Sequence, residues 1–171
     1  METDRKPYLG KFRGTVLNNV DPLQIGRLQL TVPDVPLALS SWAMPCFPFT
    51  GIQSGAWMLP SVGAGVWVEF EQGDPDYPIW SGCFYGTAAE VPALALAAPP
   101  AVPNVVLQTT AQNTLMLSDV PGPTGGILLK TTTGAFISIS AVGITISNGQ
   151  GATIVMTGPS VTVNAGALVV T

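Results

Sequence analysis

From Thr131 to Val170 the chain runs for forty residues without an Asp, Glu, Lys, Arg or His. Ile and Val alternate there with Ser and Thr, as in "FISIS", "ITISN", "TIVMT" and "VTVN". Alternation with period two marks a strand with one apolar and one polar face. Gly134, Gly143, Gly151, Gly158 and Gly166 punctuate the stretch at spacings of nine, eight, seven and eight. One short strand per period indicates a repeat architecture rather than a globular one. A strand of about five residues with one apolar face is not stable alone. A turn after every seven to nine residues also leaves too little chain for one copy to circle a core. Three chains about one axis meet both constraints, each supplying one wall of a triangular prism and pairing its strands with those of the others.

In that arrangement Ile137, Ile139, Ile144, Ile146, Ile154, Met156, Val161 and Val163 form the trimer core. Ser138, Ser140, Thr145, Ser147, Val155, Thr157, Thr162 and Asn164 face outward. The pieces "VVLQTT", "TLMLSD" and "GILLKTTT" are strand-like too, so the trimeric β-helical segment is expected over residues 104–171. An amyloid-prone tail or a sandwich edge is the plainer alternative, and the regular glycines argue against it.

Charge separates this segment from the rest. Charged residues are 9% of the chain, and beyond residue 90 only Asp119 and Lys130 remain. A net charge of −4 without a basic cluster argues against nucleic acid, whose recognition needs Lys and Arg to displace counterions. The opening "METDRKPYLG" lacks the apolar core of a signal peptide. The expectation is synthesis in the cytoplasm. No window reaches the roughly eighteen apolar residues of a spanning helix.

Residues 1–7 read as a flexible N-terminus and residues 8–86 as a small β-barrel. In "GRLQLTVPDV" Leu28, Leu30 and Val32 alternate with Arg27, Gln29 and Thr31. Val66, Val68 and Phe70 alternate with Trp67, Glu69 and Glu71. "SWAMPCFPF" is interrupted by prolines and reads as an edge or bulged strand. "GDPDYP" is a turn. Five strands without a helical period suggest a closed barrel. Residues 87–103, rich in Ala and Pro, read as an extended linker.

Candidate chemistry is sparse. Glu69 and Glu71 share a strand face, as a carboxylate pair for acid–base work would. A solvated outer face explains them better. Asp74 and Asp76 are turn formers. Without His, a Cys–His pair at Cys46 and histidine ligation of a metal are both excluded. Cys46 and Cys83 read as buried thiols, with a bridge between neighbouring strands left open. "GQG" and "GPTGG" are turns rather than phosphate loops. Trp42, Trp57, Trp67 and Trp80 are assigned to core packing or an interface rather than to base or sugar stacking. No catalytic residue, metal or cofactor is expected.

The segment "FRGTVLNNVDPLQIGRLQLTVPDV", followed by "GAWMLPSVGAGVWVEFEQGDPDYPIWSGCFYG", resembles the oligosaccharide/oligonucleotide-binding (OB) barrel of phage baseplate assembly protein V and the valine-glycine-repeat (VgrG) spikes of type VI secretion. The matching features are Gly14-x-Val16, Asp21-Pro22 with Gly26-Arg27-Leu28, Pro60, Gly63, Val66-x-Val68-x-Phe70 and Gly73-Asp74-Pro75-Asp76-x-Pro78-Ile79 with Gly82. The tail is similar to the same family's spike by pattern. The resemblance implies an all-β protein: an N-terminal OB barrel followed by an intertwined triple-stranded β-helix formed by a homotrimer. It implies the non-enzymatic central spike of a phage tail or other contractile injection particle. The chain is too short to include the family's hub domain, so the hub is expected as a separate protein. It has no lysozyme insertion and no histidines for an iron-bound tip. Three copies of "GALVVT" would instead present Leu168, Val169, Val170 and Thr171 to a separate tip protein of the proline-alanine-alanine-arginine repeat (PAAR) type. The alternative is a carbohydrate- or receptor-binding module on a β-helical stalk.

Overall fold

The structure, a computed structural model, describes residues 7–35 and 41–170. It is almost entirely β and divides into two compact units, one up to Ala88 and one from Ala89.

The first unit is a curled five-stranded sheet. Its strands are β1 (Phe12–Asn18), β2 (Gln29–Thr31), β3 (Met44–Pro45), β6 (Gly65–Phe70) and β7 (Pro78–Phe84), in the order β2-β1-β6-β7-β3. A small hairpin, β4 (Thr50–Gly51) with β5 (Ser54–Gly55), stands apart. The proline-broken strand β3 lies at an edge, in parallel register with β7. A proline lacks the amide a central position needs. The two edges meet where Leu28 and Ala43 exchange backbone hydrogen bonds of 3.1 and 2.7 Å. That bridge closes the barrel. Val16, Leu28, Val66 and Val68 are fully buried, with Leu30, Val32, Phe70 and Trp80 around them. The period-two alternation of β2 and β6 thus fills the interior.

The second unit is an eight-stranded antiparallel meander in chain order. It comprises β8 (Asn104–Gln108), β9 (Thr114–Ser118), β10 (Gly126–Lys130), β11 (Phe136–Ser140), β12 (Gly143–Ser147), β13 (Thr153–Thr157), β14 (Ser160–Val163) and β15 (Leu168–Val170). All eight strand-like pieces of the sequence are strands. Within the chain each strand pairs with its sequence neighbours. Tight turns return the chain antiparallel to itself, so sequence neighbours become sheet neighbours. One chain therefore builds a whole wall.

Glycine permits the tightest of these returns. At the start of β12, Gly143 has φ +144°, and a Cβ there would overlap the Met156 carbonyl of the neighbouring strand. Ser, Thr and Asn satisfy the turn amides without charge. Asn148 Oδ1 accepts from the amides of Gln150 and Ala152 at 2.9 and 3.0 Å, and Asn164 Oδ1 accepts from that of Thr153 at 3.0 Å.

The segment 87–103, expected to be extended, contains a 3-10 turn at Ala88–Glu90 and a short helix α1 (Ala93–Ala97). Ala and Leu are strong helix formers, and the prolines flanking "ALALA" set where the helix starts and stops. The thiols also differ from expectation. Cys46 and Cys83 are free and exposed. Cys46 follows the edge strand β3, and Cys83 follows Gly82 (φ +130°), where the β6–β7 register shifts.

Candidate assembly interface

The register of the second unit lines its side chains up across the whole sheet. One ladder runs Leu107, Leu115, Leu129, Ile137, Ile146, Ile154, Val163, Leu168. A second runs Val105, Leu117, Ile127, Ile139, Ile144, Met156, Val161. Strand residues two apart point to the same face, so both ladders belong to one face. Every position on them is apolar. Between them, on the other face, runs Val106, Met116, Leu128, Ser138, Thr145, Val155, Thr162 by register.

This apolar face is open to solvent in the single chain. Ile137, Ile139, Ile146, Ile154 and Met156 keep between 36 and 41% of their surface exposed, and Val105 and Leu107 keep more than half. A contiguous exposed patch of this size marks an interaction surface. All eight residues expected in a trimer core lie on this one face. Val105, Leu107, Leu115, Leu117, Ile127 and Leu129 extend it and were not singled out from the sequence. Their phase is hidden because "TLMLSD" and "GILLKTTT" are apolar on both faces. Met116 and Leu128, on the far face, line a cavity of about 560 Å³ with Leu94 and Ala97 of α1.

At the end of the sheet, Leu168 pairs with Val163, Val169 with Thr162 and Val170 with Val161. Leu168 is exposed. Thr171 lies outside the described residues. The eighth strand therefore leaves one backbone edge without a partner among the described residues.

The barrel carries a different kind of feature. Asp21 is buried in the loop between β1 and β2 and accepts five hydrogen bonds. Three come from the amides of Leu23, Ile25 and Arg27 at 3.0–3.1 Å. Two come from Arg27 Nε and Nη2 at 3.0 and 2.7 Å. The Arg27 guanidinium, then the loop amides, hold the Asp21 carboxyl well below the usual carboxylate range. Arg27 in turn lies over Trp42, 5.3 Å from the ring centre. Trp80 donates its indole N–H to the Gly26 carbonyl at 3.0 Å. Gly26 has φ +85° and faces the Phe47 ring, where a Cβ would collide. The Asp21-Pro22…Gly26-Arg27 pattern is thus a clamp that shapes one loop.

The remaining candidates have structural surroundings. Glu69 pairs with Lys11 at 3.0 Å across the sheet, and Lys11 also donates to Ser81. Hydrogen bonds from Lys11 and then Ser81 lower the Glu69 carboxyl. Asp74 Oδ1 accepts from the amide of Asp76 inside the turn. Trp80 is in the core, Trp67 stacks near Arg13 and Phe84, and Trp57 is exposed beside Phe47. Among the described residues no group of three or more Cys, Asp or Glu is placed to hold a metal ion. No helix among them is long and apolar enough to cross a membrane.

A closed barrel with a clamped loop, and a sheet with one wholly apolar, uncovered face, define a β protein built to associate. Residues 12–85 match the type VI secretion system/phage-baseplate injector OB domain, and residues 104–169 match the phage baseplate V C-terminal trimerisation domain. Together the two matches span most of the chain, which belongs to the phage baseplate V family. A type VI secretion system spike protein of Pseudomonas aeruginosa, VgrG4b, is 42% identical over 53 residues. That similarity covers 31% of this chain and only 7% of that protein's length.

Proposed function

We propose that three copies close their apolar faces on one axis to form the stiff central spike of a contractile injection particle. Each sheet is one wall of a triangular prism. The observation that carries this reading is the pair of unbroken apolar ladders across eight strands, largely exposed or half-buried in the single chain. The match of the same residues to a trimerisation domain supports the number three. Closing the prism removes the remaining exposed area of each Ile, about 0.5–1 kcal/mol per side chain given that most of it is already covered. Summed over three walls this is a large driving force. It leaves Ser, Thr and Asn outside as an uncharged skin.

In this reading the spike is passive and non-enzymatic, and a contracting sheath supplies the work. The OB barrel docks on a separate trimeric hub. Leu168, Val169, Val170 and Thr171, in three copies, seat a PAAR-type tip protein. Mass measurement in solution tests the core of the proposal: a trimer supports it and a stable monomer overturns it. Deleting Ala167–Thr171 tests the tip. Unchanged recruitment of the tip protein would refute that part alone.

A further inference from the structure

The second unit holds only two charged residues beyond α1, and they lie at opposite margins of the wall. Lys130 ends β10 and leads into the turn at residues 131–135. Asp119 follows β9 and opens the connection at residues 119–125. Lys130 is level with Thr114 by register, and Asp119 lies five residues further along, about 17 Å at strand rise. A lysine side chain does not span that distance, so the two cannot pair within one chain. Both are exposed, and neither makes an ion pair among the described residues.

We infer that Lys130 of one copy pairs with Asp119 of the next at each corner of the prism, fixing the alignment of the three walls. This rests on the trimeric reading above. Three identical walls around one axis bring the Lys130 margin of each against the Asp119 margin of its neighbour. Rotation leaves height along the axis unchanged. β9 and β10 are adjacent, so the two groups differ in height by about one strand spacing, some 4.8 Å. A lysine covers that gap.

Chemistry gives a reason for such a pair. The apolar ladders are nearly uniform, so a slip by one strand exchanges Ile for Leu, Val or Met at little cost. Packing alone specifies axial register poorly. A slipped prism would leave Lys130 and Asp119 against margins of Thr, Ser, Asn and Gly. One complementary charge pair per corner penalises each slip, which is how charges set register at interfaces. The Lys130 margin is otherwise neutral: the Thr132 hydroxyl donates to the Ala111 carbonyl, and its amide donates to Asn113 Oδ1 at 3.2 Å.

The test uses the full chain. Copies labelled with heavy nitrogen are mixed with unlabelled copies during folding, then treated with a carbodiimide that joins an amine directly to a carboxylate. A Lys130–Asp119 linked peptide of mixed isotope is expected, and K130Q or D119N should abolish it. Charge reversal by K130D or D119K alone should speed trimer dissociation in denaturant about fivefold or more, and the double exchange should restore it within about twofold. A trimer that yields no mixed link, and whose single reversals dissociate like the parent, overturns the pairing while leaving the trimer intact. A monomeric parent overturns the trimeric reading itself. The neutral variants differ from the native residues by little volume, so the link assay holds if a reversal variant fails to fold.

Discussion

Asp21 illustrates how much one side chain organises. Its five acceptor contacts hold three loop amides and a guanidinium in one geometry. Its carboxyl is depressed below its unfolded value, so the clamp's stabilisation is complete at neutral pH. It is lost only as the pH falls below the ordinary carboxylate range and through the lowered folded value. Asp21→Asn should therefore lower the barrel's thermal midpoint at pH 7, and the difference from the parent should shrink in strong acid. Thermal melts across pH measure both. Ile144 tests the other unit at the same scale. Ile144→Asp would set three carboxylates at one level of the proposed axis without partners, and an uncompensated buried charge costs about 3–5 kcal/mol. The expected result is a monomer by light scattering. A stable trimer would remove Ile144 from the axis.

At the scale of the element, the wall depends on turns that bring strand backbones very close. Gly143 stands at one of them, with φ +144° and the Met156 carbonyl in the space a side chain would take. Gly143→Val should cost roughly 1–3 kcal/mol per chain from the backbone conformation alone, before any displacement of β13. Denaturant unfolding of the second unit should show it, while the barrel's transition stays in place. The two ladders also explain why each strand is so short. Two apolar positions per strand suffice when eight strands stack, and a longer strand would widen the wall without deepening the core.

The whole molecule joins two units of different character. The barrel has its own closed core of Val16, Leu28, Val66, Val68 and their neighbours. The wall has no closed core in a single copy, because its largest apolar face lies open. Truncation after Ala88 is therefore expected to leave a folded monomer, read by circular dichroism and sedimentation. The complementary fragment from Ala89 should be trimeric or insoluble. A barrel that still trimerises would locate an association surface in the first unit as well.

Much of this was legible before any coordinates. Strand positions, the barrel's inward set and the shared face of the eight positions from Ile137 to Val163 follow from period-two alternation, because a pleated strand has only two faces. The absence of charge after Lys130 followed directly from composition. What needed the fold was anything set by neighbours distant in sequence. The pairing of sequence neighbours within the chain depends on turn geometry, which glycine spacing alone leaves open. The phase of β8, β9 and β10 was hidden because α1 and the cavity beneath it make their second face apolar too. The Asp21–Arg27 clamp and the closure at Leu28 and Ala43 arise from contacts across the barrel. The opposition of Lys130 and Asp119 needed the sheet's register, since position along a margin is a property of the wall and not of the string.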